Sequence, residues 1–317
     1  MDIAYLLWLQ QIREMLGPVM DLILTFISDW ASHIATALPL IIFLTFSKKK
    51  GRFLLAVLAV SYLLNLTVKS AFCVYRPWIL DPAVTPSVNA LANATGYSFP
   101  SGHSQVTAAI CGSCALLYRD NRKIAVPMIL LALLSGFLRN FLGVHTPQDV
   151  LCAWLLAGIS VAAVSWLFAM MKKHGHERTV LAAGLTACAA AMMWCALKSY
   201  PMDYINGELV ADPAVMLKDA FSGIGLSAGV CLGLYLEKKY VDLDISGTLR
   251  EKIMRLLAGG ISAGLIYLTI RFCLKPVVSS AFIYFLEVFP AILFAVWLYP
   301  LLIVRYRRRT SEQKSGS

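Results

Sequence analysis

Long apolar runs separated by short basic connections constrain this chain more than any other feature. They fall at about 31–46, 53–69, 102–118, 124–142, 149–171, 179–198, 214–236, 256–275 and 280–304, each near the length of a bilayer-crossing helix. Inside a bilayer every backbone N–H and C=O needs an internal partner, and a helix meets that need segment by segment. The expected fold is therefore all-α, a polytopic transmembrane bundle of about nine spans. With 59% hydrophobic and only 15% charged residues over 317 positions, the chain is too apolar for an ordinary soluble domain.

The formal charge of +10 suits either a nucleic-acid surface or membrane orientation. Its distribution decides. Lys48-Lys49-Lys50-Gly51-Arg52, Arg119–Lys123, Lys172–Arg178, Lys238–Arg255 and Arg305–Arg309 occupy alternate connections, which the positive-inside tendency places in the cytoplasm. The N-terminus is then outside and the C-terminus inside, and no long basic face remains for nucleic acid. Three regions are expected: a membrane core with an N-terminal interfacial helix at 1–200, an additional transmembrane region at 201–304, and a basic cytoplasmic tail at 305–317 that becomes polar and disordered.

Before Trp30, the spacing of Arg13, Glu14, Asp21 and Asp29 leaves an apolar stripe. That pattern predicts an amphipathic interfacial or re-entrant helix, with the first true span starting at Ala31. Glu237–Arg255 mixes acids, bases and apolar residues, and reads as a cytoplasmic surface helix or loop. Most of the eight cysteines, Cys111 and Cys114 included, lie within apolar runs and read as small packing residues.

Three polar clusters interrupt the apolar runs near one membrane face, where an ionisable group needs a partner or a polar cavity. Lys69 and Arg76 lie seven apart on one helical face and either snorkel to headgroups or hold a dianion. In Pro100-Ser101-Gly102-His103, Ser101 can cap a helix whose free N–H groups and Gly102 would cradle phosphate beside His103. An ordinary capped helix start is the plainer alternative. The third cluster runs from Arg139 to His145 and Asp149. There Asp149 either closes a capping box with Thr146 or orients the His145 ring, and both roles are compatible. Together the clusters supply cations, two histidines, a carboxylate and a helix N-terminus, the inventory of phosphoryl transfer.

Lys69-x6-Arg76-Pro77, Pro100-Ser101-Gly102-His103 and Arg139-x5-His145-x3-Asp149 together resemble the three-part signature of the type 2 phosphatidic acid phosphatase (PAP2) family. That family includes lipid phosphate phosphatases, undecaprenyl pyrophosphate phosphatases and glucose-6-phosphatase. One departure is Leu138, where the family usually has Ser, a secondary phosphate contact. The resemblance implies a core of about six helices, with three further C-terminal spans. It also implies His145 as nucleophile oriented by Asp149, His103 as general acid and base, and Lys69, Arg76, Ser101, Gly102 and Arg139 as the phosphate-binding set. No metal or cofactor is expected, because the cations supply the positive charge. The expected substrate is a lipid phosphate or prenyl pyrophosphate that diffuses in from the membrane to a site on the extracytoplasmic face of a bacterial inner membrane. A phosphotransferase and a non-catalytic lipid-binding or transport protein are the rival readings.

Overall fold

The computed structural model describes residues 2–315 apart from Asn206 and Asp242. Helices α1 (Asp2–Thr45) and α2 (Lys48–Phe72) lead through two short helices, α3 (Pro77–Leu80) and α4 (Val88–Leu91), to α5 (Gly102–Leu117), α6 (Arg122–Phe141), α7 (Pro147–His174) and α8 (Glu177–Leu197). A small antiparallel hairpin, β1 (Tyr204–Ile205) with β2 (Glu208–Leu209), precedes α9 (Pro213–Tyr240) and α10 (Leu249–Leu274). The last crossing is α11 (Phe282–Leu293), a π-helical turn at Phe294–Leu298, and α12 (Tyr299–Ser315).

Among the described residues, 8 helices are long and apolar enough to cross a membrane. The remaining expected crossing, 102–118, is α5, a helix of 16 residues enclosed by α1, α2, α6 and α7. Its apolar side chains Val106, Ala109 and Ile110 form the middle of the core with Leu54 and Val57 of α2 and Ala157 of α7. Lipid tails are as apolar as these side chains, so close fit rather than hydrophobicity holds such helices together. The C-terminal region shows this plainly. Gly225, Gly229 and Gly233 repeat every fourth residue along α9, and a Cβ on any of them would stand 2.9–3.0 Å from α11 or the π turn. Only glycine lets the two backbones come so near.

Two expectations change and a third gains detail. The break in the N-terminal region lies at Gly17 (φ 78°), not near Trp30, and one continuous helical limb runs from Pro18 to Thr45. A Gly-Pro pair supplies both the left-handed conformation and a good first helical residue. The acidic residues of this limb do not face headgroups: Asp21 accepts from Ser87 and Asn89, and Asp29 accepts from Asn93. Next, α9 continues through Glu237, which is fully buried and ion-paired to Lys48 (2.7 Å) and Arg52 (2.5 Å). Arg255 is buried as well and donates to the carbonyls of Leu44, Ile245 and Ser246, so both ends of 237–255 are anchored while most of the described residues between them are exposed, as expected of a surface segment. Finally, the tail expected to be disordered continues α12 to Ser315.

Candidate active site

The three polar clusters meet because α2, α5, α6 and α7 all begin or end at one face of the bundle. Helix α2 stops at Cys73, whose left-handed conformation (φ 50°) turns the chain while its N–H caps Lys69. The extended segment that follows ends at Arg76, where Pro77 starts α3. Ser98 N–H donates to Val74 O, and Ser101 N–H to Asp149 O, which ties the α4–α5 connection to both other clusters.

Lys69 and Arg76 do not snorkel. Lys69 Nζ donates to Tyr97 O at 2.9 Å, and both residues are buried. The Arg76 guanidinium donates to Thr95 O (2.7 Å), Gly96 O (3.1 Å) and Val144 O (2.9 Å). Its Nη1 also lies 2.9 Å from Nε2 of His145. These carbonyls fix a cation directly against the histidine.

His145 sits in the α6–α7 connection, 2% exposed. Asn140 Nδ2 holds its backbone carbonyl, and its Nδ1 stands 3.3 Å from Asp149 Oδ2. Asp149 fills both of the roles its spacing allowed. It accepts from Thr146 N–H (2.7 Å) in a complete capping box while facing the imidazole. Ser98 Oγ donates to the same Oδ2 at 2.5 Å and lies 3.3 Å from His145 Nδ1. Burial first, and then the adjacent Arg76, push His145 well below the usual imidazole range, so the ring is neutral with Nε2 facing the cation.

Arg139 is fully buried at the end of α6. Nη1 reaches Asp29 Oδ1 (3.3 Å) and Ser28 Oγ (3.4 Å), whereas Nε and Nη2 have no partner within the protein. Buried guanidinium donors left open in this way are suited to an oxyanion. Leu138, next to it, is buried and its side chain has no polar group to offer. Ser101 caps α5 through Ser104 N–H, and a Cβ on Gly102 would meet only Asn65 Oδ1, at 3.6 Å. His103 follows on the first turn, partly exposed, with Nε2 3.5 Å from Asp29 Oδ1. Among the described residues no group of three or more His, Cys, Asp or Glu side chains is placed to hold a metal.

Comparison with known proteins fits this arrangement. The PAP2 superfamily profile matches residues 50–174, and a profile described as PAP2 superfamily phosphatase, transmembrane extension, matches 221–311. Undecaprenyl-diphosphatase BcrC of Bacillus subtilis is 34% identical over 150 residues, 44% of this chain and 71% of that protein. The chain belongs to the PAP2 superfamily.

Shorter matches link this PAP2 protein to an undecaprenyl-diphosphatase of Sulfolobus acidocaldarius and to phosphatidylglycerophosphatase B of Escherichia coli. The first is 34% identical over 73 residues, the second 35% over 75; each covers 23% of this chain, and 34% and 30% of the relative. No solved structure matches the chain. With membrane-length helices on both sides of the PAP2 region, it is an integral membrane phosphatase.

Sequence reasoning missed three neighbours of the PAP2 site. Asp29, placed on an interfacial helix by the sequence, faces Arg139 and His103, while the nearby His33 lies edge-on to Trp30. Asp219 of α9 accepts from Thr95 Oγ1. Ser98 carried no signal beyond its place in a polar loop. An acid inside an otherwise apolar run was the available cue for Asp29 and Asp219.

Proposed function

We propose that this protein hydrolyses a phosphomonoester or pyrophosphate carried on a lipid or prenyl chain, through a phosphohistidine formed at His145. The observation that carries the reading is the pairing of a buried, neutral His145, whose Nε2 faces Arg76, with the two open donors of Arg139. The names of the Bacillus and Escherichia relatives, an undecaprenyl-diphosphatase and a phosphatidylglycerophosphatase, support a membrane-borne phosphate as substrate.

In this reading Arg76, Arg139, Lys69 and the first N–H groups of α5 bind the phosphoryl oxygens. The His145 Nε2 lone pair attacks phosphorus in line, forming the P–N bond as the P–O bond to the leaving group breaks. Asp149 holds the Nδ1 proton and balances the imidazolium charge. His103 donates a proton to the departing oxygen, then takes one from the water that attacks the phosphohistidine, releasing phosphate and restoring both rings. The site lies at the bundle face opposite Lys48–Arg52, Arg119–Lys123 and Lys172–Arg178, which supports an extracytoplasmic site and a cytoplasmic C-terminus in a bacterial inner membrane.

The test is phosphate release by the purified protein in detergent with EDTA, from phosphatidic acid, phosphatidylglycerol phosphate, undecaprenyl pyrophosphate and glucose 6-phosphate. Release from a lipid substrate, lost in His145→Asn, is the expected result. Release retained in that variant overturns the nucleophile, and preference for glucose 6-phosphate overturns the lipid assignment. No release from any of the four overturns hydrolysis and favours phosphate transfer to a lipid or sugar hydroxyl.

A further inference from the structure

Asp29 belongs to α1, outside the 50–174 region that matches the PAP2 profile. Its carboxylate is nevertheless inside the site. Oδ2 accepts from Asn93 Nδ2 at 2.7 Å, which fixes the rotamer and aims Oδ1 inward. Oδ1 lies 3.3 Å from Arg139 Nη1 and 3.5 Å from His103 Nε2. The Asp29 side chain is 12% exposed and the imidazole 22%, so the contact is shielded while the ring keeps some access.

Asp29 is the countercharge at 3.5 Å. A general acid must present its ring nitrogen to the leaving oxygen, and a fixed carboxylate beside the ring holds it in place for that step. The site would then contain two carboxylate–histidine pairs with opposite duties. Asp149 steadies the nucleophile, and Asp29 steadies the acid.

The geometry assigns Asp29 as the positioning residue of leaving-group protonation, acting through His103. The assignment rests on the proposed role of His103 as acid, and the experiment separates the two. A role confined to anchoring Arg139 would instead weaken phosphate binding for every substrate alike.

The measurement is kcat/KM in detergent for wild type, Asp29→Asn, Asp29→Glu, His103→Asn and the Asp29→Asn/His103→Asn double variant. The esters are dioleoyl phosphatidic acid, whose alkoxide leaving group needs a proton, and p-nitrophenyl phosphate, whose leaving group needs little help. Asp29→Asn should lose about 100-fold on phosphatidic acid and less than about threefold on p-nitrophenyl phosphate, and Asp29→Glu should recover most of the loss. The double variant should be no slower than His103→Asn, as expected for two residues acting in one step. Equal losses on both esters, or additive losses in the double variant, overturn the assignment to His103 and leave Asp29 as an anchor for Arg139. If His103→Asn is itself insensitive to the leaving group, or the wild type releases phosphate from neither ester, the underlying acid assignment fails and the inference falls with it. Matching gel-filtration profiles exclude misfolding as the cause of any loss.

Discussion

Thr95 Oγ1 donates to Asp219 across 3.3 Å, and the carbonyl of the same threonine accepts from Arg76 Nη2 at 2.7 Å. One residue thus joins the first helix of the C-terminal region to a phosphate-site cation. Asp219→Ala should release the 95–97 segment and raise KM about five- to tenfold, the scale of one lost hydrogen bond. Because Asp219 does not face the reacting atoms, kcat should change less than about twofold. Steady-state kinetics check this, and an unchanged KM would mean the contact does not position Arg76.

Ser98→Ala removes the hydroxyl that donates to Asp149 Oδ2 at 2.5 Å. The His145–Asp149 contact remains but is less constrained, so kcat/KM should fall about tenfold. Asp149→Asn, which also loses the charge opposite the imidazolium, should cost about 10³-fold or more. If the serine variant were the slower of the two, the ranking of these contacts would be wrong.

Arg139→Lys keeps a charge but not a planar fork. Lysine cannot hold Asp29 and Ser28 with one arm while presenting two further donors, so activity should fall about 100-fold. Inhibition by orthovanadate, a phosphate mimic, should weaken in parallel. Wild-type vanadate binding in this variant would show that the open donors of Arg139 do not meet the oxyanion.

His145 must be neutral to attack. Its pKa is lowered by burial and then by Arg76, so the neutral ring persists as pH falls through the ordinary histidine range. The acid-side loss of kcat/KM governed by the nucleophile should therefore have its midpoint below pH of about 6.5. A midpoint at or above that value would place a protonated ring in the free enzyme and contradict the environment described.

At the opposite end of α9, Glu237 is buried against Lys48 and Arg52. Glu237→Gln removes the carboxylate charge from a largely buried cluster, and unfolding in detergent should become easier by roughly 2–4 kcal/mol. The site lies about 27 Å away along the helix, counted from Asp219, so the folded protein should keep its kcat/KM. A drop in melting temperature without loss of specific activity is the expected pattern.

Much of this was legible in the sequence because it is local. The apolar runs gave the bundle, and the four-residue step from His145 to Asp149 gave their contact. The contacts that were missed span long separations: Asp29 and Arg139 are 110 residues apart, and Thr95 and Asp219 are 124 apart. No spacing rule reaches so far. Arg76 was recognised as a cation, but its partners are backbone carbonyls, which carry no residue-type signal. The Gly17-Pro18 pair was a readable break, outweighed by acidic residues whose partners lie at the two ends of α4.

Helix α9 runs unbroken from Pro213 to Tyr240, whereas the match to the transmembrane extension begins at 221, inside it. The seam at which that match begins therefore falls inside a rigid rod and not in a linker. Upstream of the seam the rod touches the phosphate-site loop through Asp219; downstream its glycines receive α11 and Glu237 holds the start of α2. A graft cut at that seam would sever a helix whose two ends are fastened to the phosphate-site loop and to α2. Recombination between relatives should succeed only when the exchange carries the whole of α9 together with its partners on α2.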